Sequence, residues 1–288
     1  MTNQYSSHEM MLHDSYNGEL FIGPQFCSET NHDGDNYTGY FLNGVKHGKG
    51  VINYKNGDYY DGLWKNNKRN GVGTFTFSGF GRKYKGGWKN DMRDGKGVIT
   101  EIGSVYTGEM KENKKHGQGV HKHGNGMIYI GKWDKDMFIK GTIKWPDGRI
   151  YNGDHSSIGV GREGYGTYTK IRKHYCDEYV DREPFIGTYT GQWHKDKRNG
   201  DGRMLWDDGI SYEGEWENDE MHGEGTFIIP NKDKYVGCFS NGKKHGKGTL
   251  FYPDGISYEG EWILGKKQSV GTFTWPGGRK FIGEWVKE

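Results

Sequence analysis

The stretch that decides the fold is YDGLWKNNKRNGVGTFTF, residues 60–77. Side chains alternate across a strand, so Tyr60, Gly62 and Trp64 share one face. The same logic applies to Gly71, Gly73, Phe75 and Phe77 on a return strand. A glycine between two aromatics leaves room for a ring to lie flat against backbone. The segment therefore reads as one β-hairpin with an aromatic inner face and a wet outer face.

The phrase recurs along the chain. Tyrosine, any residue, glycine, any residue, aromatic is followed by a polar stretch and then Gly-x-Gly. Its anchors are Tyr37, Tyr60, Tyr84, Tyr106, Tyr129, Tyr151, Tyr189, Tyr212, Tyr235, Tyr258 and a closing Phe281. They are spaced by 22 to 24 residues, except for one gap of 38 between Tyr151 and Tyr189. A degenerate opening copy starts at Tyr16. One such hairpin is unstable in water, but stacked hairpins bury continuous aromatic rows.

Composition agrees. The 288 residues include 50 glycines, 20 tyrosines, 13 phenylalanines and 10 tryptophans, and not one alanine. Interior glycine costs a helix about 1 kcal/mol relative to alanine, which excludes helical bundles and helix-dependent enzyme folds. Six prolines and no three-residue glycine period exclude collagen. The expected fold is all-β: an elongated, twisted ribbon of antiparallel β-hairpin repeats with little or no helix. At about 9.6 Å per repeat it would reach on the order of 100 Å.

The segments YTGYFLNGVKHGKG (37–50), YDGLWKNNKRNGVG (60–73) and YVGCFSNGKKHGKG (235–248) resemble the MORN repeat, named for "membrane occupation and recognition nexus". The resemblance covers about 16–288. It implies an N-terminal tail (1–14), repeats over 15–169, an insertion loop (170–187), and repeats over 188–288 ending in half a hairpin. No cofactor and no enzyme activity are expected, because the chain carries no GxSxG, HExxH, P-loop or kinase motif. Similar repeats occur in cytoskeletal, ciliary and junctional scaffolds, so the resemblance implies a cytoplasmic location linked to cytoskeleton or cilium.

The residue at offset +10 from each anchor is His47, Asn70, Asp94, His116, Asn199, His222 or His245, each followed by glycine. Asn, Asp and His tolerate positive φ, so these positions are expected to make the hairpin turn. A metal reading explains only the histidines and gives them no ligand partners at suitable spacing. Cys27, Cys176 and Cys238 lie far apart, without a CxxC pair, and read as free thiols. Gly159-x-Gly161-x-x-Gly164 mimics a dinucleotide fingerprint without its strand and helix. No motif pairs a nucleophile with a base.

Two binding readings remain. The first is a scaffold whose aromatic face, with Tyr60, Trp64, Trp88, Trp133, Trp193, Trp216 and Trp262, holds a helix or peptide of a protein partner. The insertion adds His174, Tyr175 and Tyr179 as chain-specific contacts. The alternative for the rings is that they form only the internal ladder. The second reading is a peripheral membrane adaptor. Basic residues outnumber acidic ones at offsets +5 to +10, and the candidate lipid contacts are Lys65, Lys68, Arg69, Lys114, Lys115, Lys195, Lys197, Arg198, Lys243 and Lys244. Adjacent cations near an anionic surface contribute about 1 kcal/mol each. The near balance of 40 basic and 38 acidic residues argues against nucleic acid. The half-hairpin at the end of the chain suggests a homodimer through a ribbon end.

Overall fold

The structure, a computed structural model, describes residues 23–79, 81–156, 161–170 and 187–284. The described residues form 22 strands, every strand pairing within each unit is antiparallel, and no helix occurs among these residues. The all-β expectation of hairpin repeats is met. The chain divides into two compact units, Met1–Phe138 and Ile139–Glu288. Each is a meander of hairpins in which consecutive strands pair.

The hairpin at Tyr60 stands for the rest. Strands Tyr59–Lys65 and Lys68–Thr76 pair with Tyr60 opposite Phe75, Gly62 opposite Gly73 and Trp64 opposite Arg69. The return strand then pairs with Lys83–Lys89, setting Gly73 opposite Gly86 and Phe75 opposite Tyr84. From Gly39 onward glycine faces glycine, while Cys27 faces Gly39 at the start of the row. In the first unit the row runs Gly39, Gly50, Gly62, Gly73, Gly86, Gly97, Gly108, Gly119 and Gly131. The second unit has the same device, for example at Gly202, Gly214, Gly225, Gly237 and Gly248.

The tyrosine of nearly every repeat, Tyr129 excepted, lies across this row. A Cβ on Gly73 would stand 2.5 Å from the Tyr60 ring, so only glycine allows the ring down onto the backbone. The ring is held there by its hydroxyl, which donates to the carbonyl three residues on. That bond recurs in eight repeats, at 3.0 Å from Tyr60 to Leu63 and 2.9 Å from Tyr212 to Glu215. The two strands also carry unequal residue counts past the glycine pair. Leu63 alone faces Asn70, Gly71 and Val72, a bulge that Gly71 accommodates at φ +98°.

The turn position departs from expectation. His47, Asn70, Asp94, His116, Asn199, His222 and His245 do not make the hairpin turn; they lie in the return strands next to the bulge. The turn comes earlier, at offsets +6 and +7, where both residues have positive φ: Asn66 and Asn67, Asn90 and Asp91, Lys195 and Asp196. Two-residue turns of this hand match the right-handed twist of a hairpin. At offset +10 the need for positive φ falls on the following glycine, as at Gly48 and Gly117.

Candidate functional site

The seven rings proposed as a partner-facing surface are buried. Tyr60, Trp64, Trp88, Trp133, Trp193, Trp216 and Trp262 are between 0 and 6% exposed. Each tryptophan indole donates to a backbone carbonyl of the preceding repeat, as Trp88 does to Gly73 at 3.2 Å. All but Trp133 pack edge-to-face on two tyrosines: Trp88 stands 5.2 Å from Tyr84 and 5.4 Å from Tyr60. Trp216 repeats this between Tyr212 and Tyr189 at 5.2 and 5.3 Å. These rings form the internal ladder, so the area they present to solvent is small. His174, Tyr175 and Tyr179 lie outside the described residues.

The ten basic residues separate into two groups. Lys65, Lys68, Lys114, Lys195, Lys197 and Lys243 are exposed beside the hairpin turns. Arg69, Lys115, Arg198 and Lys244 are not at the turn edge. They sit at offset +9 and lie half-buried over the ladder. The Arg69 guanidinium is 4.4 Å from the Trp88 ring, and that of Arg198 is 4.3 Å from Trp216. The ammonium groups of Lys115 and Lys244 stand over Trp133 and Trp262 at 5.2 and 5.0 Å. Lys46, Arg162 and Lys267 occupy the same place in their repeats. At Phe138 and Met221 an apolar side chain replaces the cation. This row closes the aromatic face from above.

Three arginines of the row also hold an aspartate from the turn of the next repeat: Arg69 with Asp91, Arg162 with Asp196 and Arg198 with Asp219. The third repeat breaks this rule. Asn113 stands where Asp91 and Asp219 stand, and Arg93 reaches its carbonyl oxygen at 2.8 Å rather than a carboxylate. A second anomaly lies beside it. At offset +17 most repeats place a ring, for example Tyr54, Phe77, Trp206 and Tyr252, but this repeat has Glu101. The missing ring leaves a cavity of about 290 Å³ in the first unit. Arg82, Arg93, Lys114 and Lys115 line it, with Glu101 and Asp136 as the only carboxylates in its wall.

Two of those cations are ion-paired, Arg82 with Glu101 at 3.1 Å and Lys114 with Asp136 at 2.9 Å. Lys115 instead contacts Nδ1 of His121 at 3.0 Å. Burial pushes the His121 imidazolium down to about 4, with help from Lys115 and then His123, so this ring is neutral near pH 7. Burial likewise lowers Arg93 and Lys115 from their usual values, although neighbouring carboxylates oppose the shift. The only mark of this cavity in the sequence is a glutamate where most aligned copies carry a ring.

Among the described residues no group of three or more His, Cys, Asp or Glu is placed to hold a metal ion. No helix long and apolar enough to cross a membrane occurs among them.

A family model for the MORN repeat matches residues 37–59, 60–82, 84–100, 106–128, 189–211, 212–234, 235–257 and 258–278, more than half of the chain. The copies anchored at Tyr129 and Tyr151 lie outside those segments. Tyr151 nonetheless donates to Asp154 and lies across Gly153 and Gly166, as the other anchors do. The chain is 33% identical over 90 residues to MORN repeat-containing protein 3 of Xenopus laevis, covering 31% of each. It is 27% identical over 192 residues to Alsin of Mus musculus, covering 64% of this chain and 10% of Alsin. The matched stretches thus span under a third of the first relative and a tenth of the second. Among solved structures, the TCP10 domain of Danio rerio CPAP, in complex with a peptide of Danio rerio STIL, aligns over 90% of this chain and 98% of that one. Identity there is 10% and the TM-score 0.25, too low to carry an argument. Glycine row, buried tyrosines and matched segments agree: this chain belongs to the MORN repeat family.

Proposed function

We propose that the chain is a non-enzymatic scaffold that binds a protein partner within a cytoplasmic, cytoskeletal or ciliary assembly. The observation that carries this reading is the closed ladder. Tyrosine, tryptophan and the offset +9 cation are used by the fold itself, repeat after repeat. What varies between repeats is the outer face and the turns, which suits recognition of an extended partner. Membership of a family of interaction modules supports it. The insertion at 170–187, with His174, Tyr175 and Tyr179, is the proposed chain-specific contact, since long loops are often binding elements.

The exposed lysines at the turns favour a second reading, peripheral attachment to anionic lipid. Lys65, Lys68, Lys114, Lys195, Lys197 and Lys243 are free of the ladder, whereas Arg69, Lys115, Arg198 and Lys244 are engaged by it. The membrane-facing charge is therefore smaller than the sequence suggested. Co-purification of the intact chain from cells, compared with a chain lacking 170–187, tests the scaffold reading. A defined partner that is lost on deletion supports it. Recovery of no protein partner, together with salt-sensitive sedimentation on phosphoinositide vesicles, would favour the lipid reading.

A further inference from the structure

We infer that the cavity beside Arg93 and Lys115 is a recognition pocket for a phosphorylated side chain of a protein partner. This rests on the reading of the chain as a protein-binding scaffold, and it names the chemistry that one repeat of it would recognise.

Two departures from the repeat rule meet at one place. Glu101 stands where most copies carry a ring, and about 290 Å³ is open beside Tyr106. Asn113 stands where the next turn supplies a carboxylate to Arg69, Arg162 and Arg198, and this leaves Arg93 without one. Either change alone would be minor. With Asp at 113 the guanidinium would be neutralised inside the protein, as its counterparts are. With an aromatic at 101 the space would be filled, as it is by Phe77 against Phe75 at 4.6 Å. Together they leave two half-buried cations facing an open space.

Charge decides the class of ligand. Four cations and two carboxylates line the cavity, and His121 is neutral near pH 7, so the wall carries a net +2. A phosphate monoester carries about −1.5 to −2 at that pH and matches it; a carboxylate supplies half of that. Arg93 offers a planar donor fork, Lys115 a point charge, and Ser104 a hydroxyl on the same wall. Desolvation of Arg93 and Lys115 has already occurred in the fold, so an incoming anion relieves an existing cost. The opening lies among Tyr106, Ile99 and His121 of the ladder face, with Lys114 and Asn113 of one turn and Asp136 of the next on its wall, so the anion would sit against half-buried side chains rather than on turn lysines alone. That favours a side chain presented by a docked segment over a headgroup held in a lipid surface.

The test uses the full chain and an acetylated, amidated Gly-phosphoserine-Gly peptide, with its aspartate and unphosphorylated serine analogues alongside. Binding is read by NMR from the Arg93 side-chain Nε–H and the His121 ring. The expected result is saturable binding of the phosphopeptide, weaker by about tenfold or more for the aspartate analogue and absent for serine. Asn113→Asp installs the carboxylate that neighbouring repeats already hold at the same positive φ. It is expected to fold normally and to weaken binding by about tenfold or more. Glu101→Tyr fills the cavity and is expected to abolish binding. Asn67→Asp makes the same charge change at another turn, where Tyr54 occupies the ring position, and is expected to bind like the parent.

No saturable phosphopeptide binding, equal binding in Asn113→Asp, or equal loss in Asn67→Asp would each overturn the inference. So would binding confined to phosphoinositide vesicles. A cellular partner that still co-purifies with Asn113→Asp while the phosphopeptide fails to bind the parent would sink the pocket alone and leave the scaffold reading standing.

Discussion

Gly73→Ala probes the ladder at its tightest point. A Cβ on Gly73 stands 2.5 Å from Cε2 and Cζ of Tyr60, where carbon atoms ordinarily keep about 3.5–4.0 Å. The ring must move by about 1 Å, and nothing around it yields easily. Tyr60 is 0% exposed, its hydroxyl donates to Leu63 at 3.0 Å, and Trp64 and Trp88 flank it at 5.3 and 5.4 Å. Moving it disturbs a buried hydrogen bond worth about 1 kcal/mol and overpacks the face by about 1–3 kcal/mol. Replacing a strand glycine by alanine returns about 0.5–1 kcal/mol of chain entropy. The expected net loss is about 1–3 kcal/mol. Long repeat arrays do not unfold as one two-state unit, so the assay is native-state hydrogen exchange on the amides of 59–65 and 68–76. The same substitution in a Tyr60→Leu background removes the obstructing ring and should cost much less. Exchange in Gly73→Ala that is unchanged or slower than in the parent would refute the reasoning.

Other outcomes follow from the same geometry. Tyr60→Phe keeps the ring and removes the donor to Leu63, so local exchange should accelerate by the equivalent of about 1 kcal/mol; an unchanged rate would mean that water or another donor satisfies that carbonyl. Arg69→Ala uncovers Trp88 and frees Asp91, and should cost about 1–2 kcal/mol locally by native-state hydrogen exchange, whereas the adjacent exposed Lys68→Ala should stay within about 0.5 kcal/mol. Equal effects would show that the offset +9 cation is not part of the fold. His121 protonates at about 4 when folded and about 6.5 when unfolded, so its contribution is complete above pH 6.5 and is lost as pH falls toward 4. The loss is at most about 3 kcal/mol, and a His121→Gln chain should show a shallower decline between pH 7 and 4.5. Identical declines would place the acid sensitivity elsewhere.

The repeat was legible because its signal is chemical as well as periodic. Tyr-x-Gly-x-Trp demands a face that takes a flat ring, and the cross-strand pairs Gly62 with Gly73 and Gly214 with Gly225 supply it. The turn was misread because two positions compete for the same residue types. His47 and Asn70 look like turn residues and precede glycine, yet the chain reverses at pairs as varied as Asn66–Asn67, Glu112–Asn113 and Lys135–Asp136. A two-residue bulge displaces the Gly-x-Gly signal from the turn it seemed to mark. The basic residues were misassigned for a related reason. Lys68 and Arg69 are neighbours in sequence, but alternation sends one to solvent and the other onto Trp88. The cavity depends on Glu101 and Asn113, which come together only when adjacent repeats are stacked.

The most direct measurement of the ladder is a spectrophotometric titration of tyrosine ionisation in the intact chain, with far-ultraviolet circular dichroism recorded on the same samples. Burial pushes Tyr37, Tyr84 and Tyr106 up to about 12, and raises Tyr60, Tyr151, Tyr189, Tyr212 and Tyr235 as well. An unfolded chain ionises these groups near 10, so the fold loses stability as pH rises above that value. The expected result is that the ladder tyrosines stay protonated past pH 10 and ionise only as the β signal collapses. Ionisation of all twenty tyrosines in one reversible step near pH 10, with the β signal intact, would contradict a fold built on buried tyrosine rings.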